Sequence, residues 1–324
     1  MTLDETPGPP EARRPADAGA GASPAETARM RPRPTTQHEL ERYAALFAGR
    51  TQSMRSSAMR DLMAITSRPE VISLAGGLPD TSTFPVELFE EVASRIAADS
   101  VARALQYGPT DGLLEVKGHI QTVMAAEETH VDPDDLIVTA GGQQVIDLVC
   151  RALVDPGDVV IADAPTYPGA VPVFGSYQAD VEQIAMDADG MRIDLLEDKL
   201  AELDSAGRRP KFIYSIPTFQ NPGGVTLSLE RRRRLVEIAH ERELIILEDN
   251  PYGLLRYEGA PLPTLYSLAG GDYVIYLGTF SKILSAGLRL GWTVAPRPVL
   301  EKMNLGKQGA DLCTSSMTQC FVAA

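Results

Sequence analysis

Lysine is rarely buried unless it is used. Lys282 lies among apolar neighbours in Gly278-Thr-Phe-Ser-Lys282-Ile283, which makes it the first candidate for chemistry. Such surroundings depress an amine's pKa and make it a nucleophile for a Schiff base. A lysine that snorkels to solvent is the competing reading. In Glu248-Asp-Asn-Pro-Tyr252, Asp249 follows a fully apolar run. A carboxylate there is partly desolvated and needs a cationic partner, unless it only caps the next segment. Tyr252, three residues on, reaches the same ligand. The turn Pro217-Thr-Phe-Gln-Asn-Pro-Gly-Gly224 holds Asn221 in one place, and Ala164-Pro-Thr-Tyr-Pro168 fixes Tyr167 between prolines. That aromatic either stacks on a planar ligand or covers a sheet edge. Thr139-Ala-Gly-Gly-Gln143 places Gly141, Gly142 and Gln143 where a helix begins. Free amides and the helix macrodipole favour an anion there, though a plain tight turn reads equally well. The spacing is not GxGxxG, and Asp163 in a Pro-flanked turn replaces the companion acid expected about 20 residues on, so a dinucleotide fold fits poorly.

The elements that must position these groups are legible as alternating runs. Apolar stretches at 136–139, 159–161, 181–184, 212–216, 244–247, 274–277 and 290–294 read as buried strands. Stretches 143–154, 168–178, 194–206 and 228–242 read as helices, the last with Ser228 as N-cap and Leu235, Ile238 and Ala239 on one face. Two members of the basic run from Arg231 to Arg234 must point away from the apolar face, so the run reads as a solvated face rather than a nucleic-acid patch. The alternation predicts an α/β domain around a seven-stranded, mostly parallel sheet flanked by helices. Every candidate group then falls just past the C-terminal end of a strand, where such sheets bind ligands.

Together the groups describe one ligand: a planar aromatic ring carrying a phosphate, an aldehyde and a ring nitrogen. Lys282 takes the aldehyde, Asp249 keeps the ring nitrogen protonated, and the Gly-Gly turn with Ser281 and Arg289 holds the phosphate. That ligand is pyridoxal 5′-phosphate, whose ring acts as an electron sink. The chain resembles the class I/II (fold-type I) pyridoxal-phosphate aminotransferases, and most of all their α-aminoadipate (LysN-like) and kynurenine aminotransferase branch. The carrying residues are Ser73-Leu-Ala-Gly-Gly-Leu-Pro79, Gln106-Tyr-Gly108, Gly141-Gly-Gln-Gln144, Pro165-Thr-Tyr-Pro168, Asn221-Pro-Gly-Gly224, Glu248-Asp-Asn-Pro-Tyr-Gly253 and Gly278-Thr-Phe-Ser-Lys282. The resemblance implies that Lys282 carries the cofactor and shuttles the proton. It makes Asp249 the pyridinium partner, Asn221 and Tyr252 the pair on the ring 3′-oxygen, and Tyr167 the stacking aromatic. Gly141, Gly142, Gln143, Ser281 and Arg289 then form the phosphate cup. Tyr107 is similar to a tyrosine that reaches a neighbouring subunit's phosphate, which implies a homodimer with shared sites. Gly77, with Gly76, is similar to the glycine that touches the substrate carboxylate, and Arg50 or Arg55 would meet a substrate side-chain carboxylate. Amino acid and 2-oxo acid are the implied substrates. A lyase on the same core, and a fragment that binds cofactor with little activity, are the alternatives.

Composition agrees with a small-molecule enzyme. The 324 residues carry 30 Lys+Arg against 44 Asp+Glu, a net charge of −14, which excludes bulk binding to nucleic acid or anionic membrane. Four dispersed histidines and the cysteines Cys150, Cys313 and Cys320 form no metal-ligand spacing, and an odd cysteine count suits a reducing cytoplasm. Residues 1–37 contain seven prolines with five acids balanced by five arginines and read as a disordered leader. Residues 38–95 read as an N-terminal arm with part of a small domain, and 96–324 as the cofactor domain. The resemblance also implies a C-terminal small domain carrying an arginine for the substrate α-carboxylate. That domain is expected to be missing or truncated here.

Overall fold

Strands buried on both faces read as continuous apolar runs, and the seven expected runs are strands of one sheet. The computed structural model describes residues 41–54, 65–66, 68, 70–72 and 77–324. The proposed leader at 1–37, Gly76 and Arg55 lie outside the described residues. The chain divides into two units, Met1–Gly49 and Arg50–Ala324. The described part of the first holds an exposed 3₁₀ turn at Ala44–Leu46; everything below concerns the second.

The strands are β1 (Leu136–Thr139), β2 (Val159–Ala164), β3 (Asp180–Asp187), β4 (Gly190–Met191), β5 (Pro210–Ser215), β6 (Ile245–Asp249), β7 (Val274–Thr279) and β8 (Gly291–Val294). The sheet has eight strands, not seven. The extra one, β4, is two residues folded back on β3, pairing Met186 with Met191, and is too short to show a period in sequence. The order is β1-β8-β7-β6-β5-β2-β3-β4. Pairs β2–β3, β2–β5, β5–β6 and β6–β7 are parallel, while β8 runs against both neighbours.

The helices are α1 (Val86–Asp99), α2 (Val101–Ala104), α3 (Leu114–Ala125), α4 (Gly142–Leu153), α5 (Val171–Ser176), α6 (Ile193–Ser205), α7 (Leu229–Arg242), α8 (Leu265–Leu268), α9 (Arg297–Asp311) and α10 (Ser316–Ala323). Period-2 alternation splits the strands between two layers. Val160, Ala162, Phe212, Tyr214 and Leu247 pack under α4, α5 and α9. Val159, Ile161, Ile213, Ile246 and Val274 pack under α6, α7 and α8. A third cluster joins Val116, Ile120 and Met124 of α3 to β1, β7 and β8 through Leu136, Tyr276 and Trp292.

The helix after β2 lies on one layer and the helix after β5 on the other, although β2 and β5 are neighbours. That reversal is the topological switch point, where a crevice opens beyond the strand ends.

One reading of the helices is corrected. Arg231 and Arg234 lie at the surface, paired with Asp187 and Glu197. Arg232, a member of the same run, is 1% exposed, so the solvated face does not extend to it. Its guanidinium donates to the carbonyls of Leu227, Pro217 and Pro263 and to Thr218 Oγ1. A buried arginine survives where its nitrogens meet oxygens; all three do here, and the side chain staples α7 to the turn that carries Asn221.

Candidate active site

The strand ends bring the predicted groups together one by one. At the end of β1, Gly141 caps α4 with φ +82 and no side-chain acceptor. The first amides of a helix have no partner within it, so α4 offers N–H groups and a positive dipole end. Arg289 from the loop before β8 lies against this cap: a Cβ on Gly141 would sit 2.5 Å from its Nη2. Arg289 itself has φ +51 and donates from Nη1 to Ala286 O at 3.3 Å. Gln143 Nε2 donates to Gly169 O at 2.6 Å, tying α4 to the loop after β2. Thr139 and Thr279 both pair with Gly291, which sets the ends of β1 and β7 side by side. Ser281 follows, its N–H donated to Thr279 Oγ1 at 3.1 Å and its Oγ receiving that hydroxyl at 2.9 Å.

Lys282 is the second residue of a π-helical turn, Ser281–Ser285, a feature frequent at functional sites. It is half-buried, and that desolvation lowers its pKa from the ordinary lysine value. Its Nζ donates to Gly77 O at 3.3 Å, which places Gly77 (φ +53) at the amine. Asp249, the last residue of β6, is 5% exposed. Burial pushes its carboxyl up to about 6, against the pull of a hydrogen bond from Tyr214 Oη to Oδ2 at 2.6 Å. Asn221 Nδ2 donates to Tyr252 Oη at 3.2 Å, so these two meet as expected. Tyr167 is partly buried against the first core layer. Its phenol pKa is raised by desolvation and by the Asp249 charge, with the Arg289 charge opposing.

Two predicted residues are exposed. Tyr107 is 79% exposed, and Arg50 is exposed in the 3₁₀ turn Gly49–Ser53. Their assignments rest on the resemblance alone.

Three contributors were missed in sequence. Tyr214 lies inside an apolar strand run, and a buried phenol usually finds a hydrogen-bond partner, which was the available signal. Gln220, 3% exposed, donates Nε2 to Pro165 O at 2.8 Å and accepts the Gly223 N–H on Oε1 at 2.6 Å. It clamps the Tyr167 loop to the Asn221 loop. Asp163, read as part of a Pro-flanked turn, is instead inside β2 and 1% exposed. It accepts Ser215 Oγ at 3.2 Å and the Ile216 N–H at 3.1 Å.

These residues fit a phosphorylated pyridine aldehyde. A helix N-terminus and guanidinium suit a dianion, the buried carboxylate suits a protonated ring nitrogen, and the amine suits an aldehyde. Among the described residues, no three His, Cys, Asp or Glu side chains group to hold a metal, and no helix is long and apolar enough to cross a membrane.

Comparison with known proteins agrees with that chemistry. The family model for aminotransferase class I and II matches residues 69–324. The aromatic-amino-acid aminotransferase 1 of Thermococcus litoralis is 42% identical over 278 residues, spanning 86% of this chain and 67% of its own length. The 2-aminoadipate transaminase of Thermus thermophilus is 40% identical over 278 residues, 85% of this chain and 67% of the relative. Among solved structures, a Pyrococcus horikoshii kynurenine aminotransferase in complex with PMP superposes with a TM-score of 0.82 at 40% identity, covering 88% of this chain and 70% of that one. The α-aminoadipate aminotransferase of Thermus thermophilus, complexed with N-(5′-phosphopyridoxyl)-L-leucine, gives 0.79 at 36% identity over 87% and 69%. The chain belongs to the class I and II aminotransferases, is a transaminase by that membership, and uses pyridoxal 5′-phosphate as its cofactor.

Proposed function

We propose that this aminotransferase moves the amino group of an L-amino acid of the 2-aminoadipate, aromatic or branched-chain type to a 2-oxo acid such as 2-oxoglutarate. The identities of its relatives support that substrate class. The observation that carries the site is the half-buried amine of Lys282, at the strand-end edge that also holds Asp249 and the Asn221–Tyr252 pair.

Bound pyridoxal phosphate supplies an aldehyde for the amino group and a ring that accepts the electron pair released as the α-proton leaves. The chain does the rest. Lys282 Nζ anchors the aldehyde and then carries the α-proton; its lowered pKa keeps a larger neutral fraction available. The Asp249 carboxylate holds a proton on the ring nitrogen. Asn221 Nδ2 and Tyr252 Oη orient the ring 3′-oxygen, and Tyr167 covers a ring face. The amides of Gly142 and Gln143, the Gly141 cap, Ser281 and Arg289 bind the phosphate. Gly77 borders the substrate carboxylate, and Arg50 answers a second carboxylate.

A homodimer with shared sites, in which Tyr107 serves the neighbouring subunit's phosphate, and a cytoplasmic setting complete the reading. The high exposure of Tyr107 is compatible with that reach.

The test is direct. Purified protein loaded with pyridoxal phosphate should show a visible absorption band that amino donors bleach, with release of the matching 2-oxo acid. Lys282→Ala should abolish both the band and the bleaching. A variant that kept the band unchanged would remove Lys282 from the assignment.

A further inference from the structure

The hydrogen bond between Tyr214 and Asp249 links the candidate site to the strand beneath it. Both residues are buried, Tyr214 at 0% and Asp249 at 5% exposure. In the register of β5 and β6, Tyr214 stands opposite Leu247. Asp249 is two residues further along, on the same face of the sheet. The phenol therefore leans toward the strand ends and meets Oδ2 at 2.6 Å, the length of a charge-assisted O–H···O⁻ bond. Its ring is locked by Phe174 of α5, edge-on at 5.6 Å. A buried carboxylate has two oxygens to satisfy. Tyr214 occupies Oδ2, which leaves Oδ1 to accept from another donor.

We propose that Tyr214 is the positioning residue that keeps Asp249 charged and aims its free oxygen at the cofactor ring nitrogen. This rests on the reading of Asp249 as the ring-nitrogen partner. The other titratable groups that face Asp249 are Tyr167, from the loop after β2, and Tyr252, from the loop after β6. Asp163 faces Tyr214 from β2 and Arg289 faces Tyr167. Tyr214 is the one whose hydroxyl is bonded to the carboxylate, and its own pKa lies well above 10. It therefore stays a donor across the working range. Burial alone drives Asp249 toward its neutral form, and Tyr214 opposes that drive.

Equilibrium titration of cofactor-stripped protein with pyridoxal 5′-phosphate, followed by absorbance between pH 5 and 9, tests the assignment. Tyr214→Phe keeps the ring against Phe174 and removes only the hydroxyl. It should weaken cofactor binding by about tenfold, the scale of one hydrogen bond to a charged group. It should also move the acid-side loss of affinity to higher pH. In an Asp249→Asn background the same substitution should add nothing. If Asp249→Asn weakens binding while Tyr214→Phe changes neither affinity nor pH midpoint, Tyr214 has no positioning role. If Asp249→Asn itself leaves affinity unchanged, Asp249 is not the ring partner and the role of Tyr214 falls with it.

Discussion

Asp163 shows what burial does to a single carboxyl in this fold. Desolvation raises it from 3.8 to about 7, against the pull of the Ile216 N–H, Ser215 and Gln220. A carboxyl whose folded pKa exceeds its unfolded value contributes stability fully below the unfolded pKa and loses it as pH rises through the folded one. Thermal melts of the native protein should therefore fall in midpoint between pH 5 and pH 8. Asp163→Asn, which cannot ionise, should flatten that fall; an unchanged slope would assign the pH dependence to other groups such as Glu248. The Asn221–Tyr252 hydrogen bond makes a second residue-scale expectation. Tyr252→Phe should weaken cofactor binding by up to about tenfold, the upper end for one neutral hydrogen bond. Combining it with Asn221→Ala should give less than the sum of the two losses, because the residues share one bond. Asn221, Asp249, Tyr252 and Lys282 were legible in sequence because each is a polar residue set in a Pro, Gly or apolar context with its own signature. Tyr214 was passed over because a tyrosine in a strand reads as ordinary core.

The start of α4 carries the anion argument at the scale of an element. Its cap, Gly141, needs φ +82, and any Cβ there would press on Arg289 at 2.5 Å. Gly141→Ala should strain the backbone and displace the guanidinium together. Affinity for pyridoxal 5′-phosphate should drop at least about tenfold, equivalent to ~1.4 kcal/mol. Affinity for pyridoxal, which lacks the phosphate, should hardly change. Equal losses for both ligands would remove the cap from the phosphate site. Helix α5 is an element of the opposite kind. Phe174 is fully buried and lies edge-on to Phe212 and Tyr214 at 5.9 and 5.6 Å. Phe174→Ala should cost about 3–5 kcal/mol in urea denaturation. It should also loosen the Tyr214 phenol, so cofactor affinity should fall with it. Sequence predicted a helix over 168–178, and the structure keeps only Val171–Ser176. The early residues are instead spent on a turn where Gly169 packs against the Tyr167 ring, too close to admit a Cβ.

At the scale of the whole molecule, six strands point one way and their C-terminal ends form a single edge. The groups that were scattered between Gly141 and Arg289 in sequence meet there. Exposed apolar side chains, among them Phe84, Leu88, Phe89, Leu105 and Tyr107, gather in residues 84–107. A shared-site homodimer should show in light scattering as a mass near twice 34.9 kDa. Mixing Lys282→Ala with Tyr107→Ala protein, each inactive alone, should restore transamination. A mixed dimer regains one site with both side chains intact. No recovery in a confirmed mixed dimer would rule out a contribution of Tyr107 across subunits.

Sequence alone determined the strand–helix alternation, the edge where ligands gather and the identity of the polar groups on that edge. Those are properties of local period and local composition, which survive without knowledge of neighbours. Tertiary structure decided which groups touch. The reversal between β2 and β5 opens the crevice, and the β5–β6 register sends the Tyr214 phenol to Asp249. The same packing selects Arg232 out of a basic run as a buried staple, and it joins two distant loops through Gln220. Burial and long-range hydrogen bonds depend on what the rest of the chain brings alongside, so no window of sequence contains them.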